Sequence, residues 1–277
     1  MSEPFRETTV VFDCDGEQLV GVVAASEAPK PIGVVIIVGG PQYRAGSHRQ
    51  FTLMARRMAE AGFAVLRFDY RGMGDSSGAP RSFEHIGPDV RAAIDALIAK
   101  CPTVRTVALW GLCDAASAAM MYAPTDARVA ALALANPWAR GEDTYARTHL
   151  KHYYLRRLLS TDFWRKVFSG RFSLGQAGAD LRGNISRATA VSSAGDFRVR
   201  MMQAMMEFKG RVLMVLASQD LTGQEFQQYV ASRPEYRARW SHANVQHEVV
   251  EGADHTFSRA LWHRQLEALS ANWLESL

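Results

Sequence analysis

The sequence lacks the features of several protein classes. No apolar run approaches the ~18 residues that a membrane-spanning helix requires, and the first residues hold neither a basic region nor an apolar stretch. We therefore expect no membrane span and no signal peptide. The net charge of +4 over 277 residues is small, which argues against a nucleic-acid partner. The three cysteines are odd in number and widely separated, so they predict no disulfide framework.

Motifs for cofactors and metals are also missing. Gly72-Met73-Gly74 lacks the spacing of a dinucleotide-binding or P-loop motif, and no carboxylate–histidine motif indicates zinc. His149 and His152 lie three positions apart, but surface histidines explain them better than a metal pair. The composition, 48% hydrophobic and 22% charged, is typical of one globular domain. We expect no cofactor, no metal and a cytoplasmic location, where thiols stay reduced. The sequence does not indicate an oligomeric state.

Short apolar runs alternate with helical segments along the chain. Because helices separate the later runs, βαβ crossovers and a mostly parallel sheet follow, while the first two strands should form an antiparallel hairpin through Asp15-Gly16. The predicted strands are Thr8–Phe12, Leu19–Ala24, Gly33–Val38, Phe63–Asp69, Val104–Trp110, Val129–Ala135, Val212–Ala217 and Val245–Val250. The predicted helices are Arg49–Ala61, Ile86–Lys100, Ala115–Ala123, Gly223–Ser232 and Arg259–Leu277.

One long segment interrupts this alternation. Between Ala135 and Arg211 the chain runs for about seventy-five residues, which is too long for a plain connection in a compact domain. We expect a helical cap inserted over residues 137–209, with the core formed by residues 1–136 and 210–277. Its aromatic residues and its methionines at helical spacing could line a substrate pocket, and its arginines could attract an anionic substrate. The alternative interpretation is an apolar packing stripe with a solvated basic face.

Cys113 stands out from the other cysteines by its setting. A buried strand ends in Gly111-Leu112-Cys113-Asp114-Ala115, which turns sharply into a helix of small residues. Such a turn strains the central residue, and bulky side chains two positions away would clash, so Gly111 and Ala115 fit. The helix N-terminus beneath the sulfur favours a thiolate and can hold an oxyanion, although Asp114 partly opposes this effect. Cys14 and Cys101 are expected to be ordinary buried residues.

Two later residues could complete a catalytic trio with Cys113. Asp220 follows the strand that ends at Ala217, and His255 follows the strand that ends at Val250. Since active sites of open α/β sheets gather at the carboxyl ends of the strands, these side chains should meet Cys113. Cys113 would be the nucleophile, His255 the base and Asp220 the acid that orients the ring. Asp254 is an alternative acid, ranked lower because adjacent loop side chains rarely bond each other, and ordinary surface roles are the alternative for both partners.

The glycine–x–cysteine–x–alanine turn resembles the nucleophile elbow of the α/β-hydrolase superfamily, with a thiol in place of the hydroxyl. The order of the three candidate residues along the chain, cysteine then aspartate then histidine, is similar to the order in that superfamily. The loop from Asp69 to Ser76 is also frequent in that superfamily, and Asp69 and Arg71 can pair to hold it. The resemblance implies an α/β-hydrolase fold, which is a mostly parallel eight-stranded sheet flanked by helices, with an inserted helical cap.

Two segments resemble a narrower group. Gly39–Phe51 and Trp110–Ser117 look like the exosortase A system-associated hydrolases of type 1, which are bacterial proteins encoded with exopolysaccharide and protein-sorting genes. Dienelactone hydrolases are a more distant relative that also uses a cysteine nucleophile. This resemblance implies a bacterial hydrolase with a cysteine in the nucleophile position.

The expected oxyanion hole departs from the superfamily pattern. The usual histidine–glycine pair is replaced by Gly39-Gly40-Pro41-Gln42, and Pro41 has no N–H to donate. The predicted donors are therefore the backbone N–H groups of Asp114 and Gln42. The predicted pocket residues are Gly40, Pro41, Trp138, Met202 and Met206.

These residues predict an enzyme that cleaves a small-molecule ester or thioester through an acyl-thioester intermediate. Two alternatives stay open. An acyltransferase would pass the acyl group to an alcohol or amine instead of water. A non-catalytic scaffold would keep the elbow without the chemistry, as the missing oxyanion histidine and Pro41 would suggest.

Overall fold

A computed structural model of the chain describes residues 5–40, 42–140 and 196–277. All eight predicted strands are confirmed. They are β1 (Arg6–Cys14), β2 (Glu17–Ala25), β3 (Ile32–Ile37), β4 (Val65–Phe68), β5 (Thr106–Leu112), β6 (Val129–Ala135), β7 (Arg211–Ala217) and β8 (Val245–Val250). The helices of the described residues are α1 (Gln50–Glu60), α2 (Gly87–Lys100), α3 (Asp114–Tyr122), α4 (Phe197–Glu207), α5 (Leu221–Ala231), α6 (Pro234–Trp240) and α7 (Ala260–Glu275), with short 3₁₀ turns at Ser47–Arg49, Phe83–His85 and Ala123–Thr125.

The strands form one sheet in the order β1-β2-β4-β3-β5-β6-β7-β8. β1 and β2 form the expected antiparallel hairpin, with Cys14 opposite Glu17, and β2 pairs antiparallel with β4. Every other neighbouring pair is parallel. The carboxyl ends of β3 to β8 therefore share one edge of the sheet, where loops from distant parts of the sequence meet.

Helices cover both faces of this sheet, because its parallel strands are apolar on both sides. Residues of β5 alternate between two hydrophobic clusters: Val107 and Leu109 belong to one, and Ala108 and Trp110 to the other. The first cluster includes residues of α2 to α6, and the second includes residues of α1 and α7. The elbow after β5 is thus held by a strand that is packed on both sides.

α6 was not predicted from the sequence, and α4 was expected only as part of the helical cap, from its methionines at helical spacing. α4 lies within the segment expected to form the cap, but the chain divides into one compact unit of Met1–Ala139 with Phe197–Leu277 and a second unit of Arg140–Asp196. α4 therefore belongs to the same unit as the sheet, and its residues Met201, Met202 and Met205 are buried in the first hydrophobic cluster. The rest of the predicted cap, residues 141–195, with His149 and His152, lies outside the described residues.

The expected pair between Asp69 and Arg71 is wrong. Arg71 instead binds Asp89 at the start of α2, with Nε–Oδ1 and Nη2–Oδ2 distances of 3.0 and 2.9 Å. The buried Asp69 carboxylate accepts the Arg44 backbone N–H at 2.6 Å and pairs with the Arg44 guanidinium. A buried carboxylate needs several donors, and Arg44, on the loop after β3, supplies two of them. Asp69 therefore anchors that loop.

Candidate active site

Cys113 lies at a sharp turn between β5 and α3. Its φ and ψ are 62° and −125°, a conformation that L-residues rarely adopt and that needs support from the surrounding structure. Gly111 permits the turn, because a Cβ there would lie 2.6 Å from the carbonyl carbon of Ala115. The tight strand-to-helix turn expected from the sequence is confirmed.

Backbone hydrogen bonds hold this turn against β6. The N–H of Cys113 donates to the carbonyl of Ala135 at 3.0 Å, and its carbonyl accepts the N–H of Trp138 at 3.1 Å. The hydroxyl of Ser117 donates to the carbonyl of Trp138 at 2.6 Å. Trp138, a predicted pocket residue, therefore lies directly beside the elbow.

Asp220 ends the connection between β7 and α5 and is the N-cap of α5. Its carboxylate accepts the N–H groups of Thr222 and Gly223, both at 3.0 Å, and these satisfy donors that the helix itself leaves free. The side chain is 5% exposed. Both the cap and the burial leave Asp220 with one fixed orientation, towards the loop after β8.

His255 lies on that loop and contacts both predicted partners. Its Nδ1 lies 2.9 Å from Oδ2 of Asp220, and its side chain also forms a hydrogen bond with Cys113. Burial of the ring disfavours its charged form, but the hydrogen bonds to Asp220 and Cys113 and the charges of both groups outweigh this effect. Together they raise the pKa of His255 to about 10. The structure thus brings the three predicted side chains together in series.

The alternative acid, Asp254, has a different role. Its carboxylate accepts the N–H of Ser258 at 2.9 Å and the hydroxyl of the same residue. These bonds close the turn that follows His255. Asp220, and not Asp254, therefore lies on the Nδ1 side of the ring.

Asn136 is a residue of this edge that the sequence reasoning missed. It is fully buried at the end of β6, with a φ of 41°. Its Nδ2 donates to the carbonyl of His255 at 2.9 Å, and its Oδ1 accepts the N–H of Ala217 at 2.8 Å. The amide therefore ties the loop of His255 to the strand that leads to Asp220. The available signal was a polar residue directly after a buried apolar strand.

The loop after β3 contacts the elbow through Gly40. The N–H of Gly40 donates to both carboxylate oxygens of Asp114, at 2.9 and 3.0 Å. Burial raises the pKa of Asp114, although its hydrogen bonds with backbone N–H groups act in the opposite direction. The side-chain Oε1 of Gln42 accepts the N–H of Ser47 at 3.2 Å and Nε2 of Gln50 at 3.3 Å, so this side chain braces the loop. Pro41 lies outside the described residues.

The two methionines predicted to line a pocket occupy different environments. Met202 is completely buried in the hydrophobic cluster that also contains residues of α3, whereas Met206 is 41% exposed. Packing of the helix against α3 accounts for Met202, as the alternative interpretation of the methionine stripe expects.

The site combines a strained turn that carries a thiol with a histidine bound to a buried aspartate, all at the carboxyl edge of a parallel sheet. This combination is typical of the α/β-hydrolase class of folds. A model of the "Alpha/beta hydrolase family" matches residues 34–270. The chain belongs to the alpha/beta hydrolase family.

Comparison with known proteins extends this result. The chain is 38% identical over 68 residues to human Protein ABHD12B, a match that covers 24% of this chain and only 18% of the human protein. It is similar in structure to an esterase of Pyrococcus furiosus, with a TM-score of 0.68, 16% identity and coverage of 98% of this chain and 91% of the other. It is also similar to a dienelactone hydrolase of Anabaena variabilis, with a TM-score of 0.63, 12% identity and coverage of 99% of both chains. At 16% and 12% identity, the similarity to these two solved structures shows a shared fold.

None of the helices in residues 5–40, 42–140 and 196–277 combines the length and the apolar character needed to cross a membrane.

Proposed function

We propose that this protein hydrolyses a carboxylic ester or thioester through Cys113, His255 and Asp220. The observation that carries the proposal is the position of His255, which bonds the buried carboxylate of Asp220 through Nδ1 at 2.9 Å and also bonds the thiol at the elbow. A thiol, an imidazole and a carboxylate in series form the arrangement that activates a cysteine nucleophile. The esterase and dienelactone hydrolase with the same fold support this class of reaction.

The proposed reaction has two steps. The sulfur of Cys113 attacks the carbonyl carbon, the bond to the leaving oxygen or sulfur breaks, and the His255 imidazolium gives its proton to the leaving group. The acyl group is then held as a thioester on Cys113. In the second step His255 takes a proton from water, the hydroxide attacks the thioester carbon, and the thiolate leaves. Free acid is the product, which distinguishes hydrolysis from transfer to an alcohol or amine.

The remaining groups have supporting roles in this proposal. Asp220 keeps the ring of His255 in one orientation and stabilises its charged form. The backbone N–H groups of Asp114 and Gln42 are the proposed oxyanion donors. Trp138, whose N–H donates to the Cys113 carbonyl, is a proposed pocket residue. The resemblance of Gly39–Phe51 and Trp110–Ser117 to exosortase-associated hydrolases supports a bacterial hydrolase linked to exopolysaccharide or protein-sorting systems.

Selective alkylation tests whether the thiol is activated. At neutral pH we expect iodoacetamide to modify Cys113 at least about 10-fold faster than Cys14 or Cys101. The two others are buried, and burial raises the pKa of Cys101 and raises that of Cys14 to about 11, whereas Cys113 is partly accessible and bonded to His255. The three rates are measured by mass spectrometry of the tryptic peptides.

The variant His255→Gln is the matched control for this measurement. It removes the ring that activates the thiol but leaves Cys14 and Cys101 unchanged, so only the rate at Cys113 should fall. Equal rates at the three cysteines of the unmodified protein would favour the non-catalytic scaffold instead.

The charge on His255 is also expected to make stability depend on pH. Folding raises the pKa of His255 from 6.5 to about 10, so the protonated ring favours the folded state. Its contribution is fully present below pH 6.5, declines above that value, and is lost as the pH rises through about 10. The difference in free energy of unfolding between the protein and His255→Gln, measured by urea denaturation across this range, should therefore shrink with rising pH. A difference independent of pH would contradict the assigned charge.

A further inference from the structure

The carboxylate of Asp114 lies where two parts of the active-site edge meet. Asp114 is the first residue of α3 and directly follows the proposed nucleophile. Its Oδ1 accepts the N–H of Gly40 at 2.9 Å and the N–H of Ala115 at 2.9 Å, and its Oδ2 accepts the N–H of Gly40 at 3.0 Å. One side chain therefore joins the loop after β3 to the first turn of α3.

The neighbouring backbone is shaped for this carboxylate. A Cβ at Gly39 would lie 2.4 Å from Oδ1 of Asp114 and 2.6 Å from the carbonyl oxygen of Leu112. No other residue type fits that position without moving the loop or the elbow. Gly40 follows with a φ of 61°, which turns its N–H and the chain after it. The close approach at Gly39 and the two-oxygen contact at Gly40 are independent observations, and both place the loop against the carboxylate.

We propose that the side chain of Asp114 is a positioning residue for the oxyanion hole of the proposed hydrolase. By binding Gly40, it sets the distance between the loop that carries Gln42 and the helix turn that carries the Asp114 N–H. These are the two proposed sources of oxyanion donors, and donors of this kind work only when they are held in place before charge develops. The N–H of Gly40 is itself committed to the carboxylate. This inference rests on the proposed function.

The negative charge of Asp114 works against the oxyanion hole that its side chain is proposed to position. A carboxylate beside a developing oxyanion repels it, so an aspartate here is useful only if the gain in geometry exceeds that repulsion. Charge-assisted bonds to backbone N–H groups are about twice as strong as neutral ones, which explains why a carboxylate would hold the loop better than an amide. The nearby titratable groups are His255, whose charge favours the ionised Asp114, and the buried Tyr70, whose pKa is raised to about 12 by burial and then by the charges of Asp114 and Asp89.

The test compares Asp114→Ala with Asp114→Asn on p-nitrophenyl acetate. We expect Asp114→Ala to lower kcat about 10- to 100-fold with little change in KM, because the loss affects the transition state and not substrate binding. Asp114→Asn should recover part of that loss, since an amide oxygen can still accept the Gly40 N–H. The activity of the unmodified protein should fall as the pH is lowered through the raised pKa of Asp114, and this step should be absent from the profile of Asp114→Asn.

Two controls separate this inference from the proposed function. Glu251→Gln removes an exposed carboxylate from the loop that leads to His255, and its kcat should be unchanged. Alkylation of Cys113 needs no oxyanion donor, and loss of the neighbouring negative charge favours the thiolate, so its rate should not fall in Asp114→Ala. If Asp114→Ala keeps or gains kcat while Cys113 still controls turnover, the carboxylate does not position the hole and this inference is wrong. If turnover does not depend on Cys113, the proposed function itself is wrong.

Discussion

Replacing Cys113 with alanine is expected to lower kcat on p-nitrophenyl acetate by at least about 10⁴-fold, because the sulfur is the atom that the proposed mechanism joins to the acyl group. KM should change little, since the small substrate makes few contacts with the thiol. The rate is measured as release of p-nitrophenolate, and release of free acetate is measured in parallel. Acetate in equal amount would identify water as the final acceptor.

Two further variants define the result for Cys113. Cys101→Ala removes a buried thiol at the end of α2, before β5 begins, whereas the elbow follows the other end of β5. This variant should leave kcat unchanged. Cys113→Ser keeps a nucleophile, but a hydroxyl depends more on its base than a thiol does, so its kcat should lie between those of the unmodified protein and Cys113→Ala. Full activity of Cys113→Ser would contradict a site tuned for a thiol, and full activity of Cys113→Ala would exclude the thioester intermediate.

Replacing Asp220 with asparagine is expected to lower kcat about 10³- to 10⁴-fold. The buried carboxylate accepts from Nδ1 of His255 at 2.9 Å and supports its protonated form, whereas an amide in that position can select the wrong tautomer. The pKa of His255 should also fall, because the hydrogen bond and charge of Asp220 are two of the causes that raise it. This change is measured by following the ring resonances of His255 by NMR as the pH is varied.

Stability must be measured for the same variant, since Asp220 is also the N-cap of α5. Asparagine is itself a good cap, so Asp220→Asn should lose little stability through α5. The loss it does show should come from the weakened pairing with His255, and it should therefore shrink as the pH rises towards 10. Asp254→Asn is the matched control, because the same change on the neighbouring acid affects only the turn with Ser258. A larger loss of kcat in Asp254→Asn than in Asp220→Asn would reverse the assignment of the acid.

The backbone plan of the protein could be predicted from its sequence. Short continuous apolar runs bounded by polar residues, such as Val212–Ala217, favour buried strands, and the helices between them indicate parallel crossovers. The small residues Gly111 and Ala115 are what a tight strand-to-helix turn needs, and the structure has that turn at Cys113. Because the carboxyl ends of parallel strands share an edge, the sequence also indicated which loops would meet there. These inferences succeed because they depend on local periodicity, sterics and a general rule of topology.

Apart from the pairing of Asp220 with His255, the side-chain pairings described above were decided by the tertiary structure alone. Arg71 binds Asp89 and not Asp69, the carboxylate of Asp114 binds Gly40, and Asn136 joins the loops of its neighbouring strands. Each pairing joins residues that are distant in sequence, and each depends on loop positions accurate to less than an ångström. Composition and spacing show that a polar side chain is present, but only the folded chain determines which buried donor or acceptor it reaches.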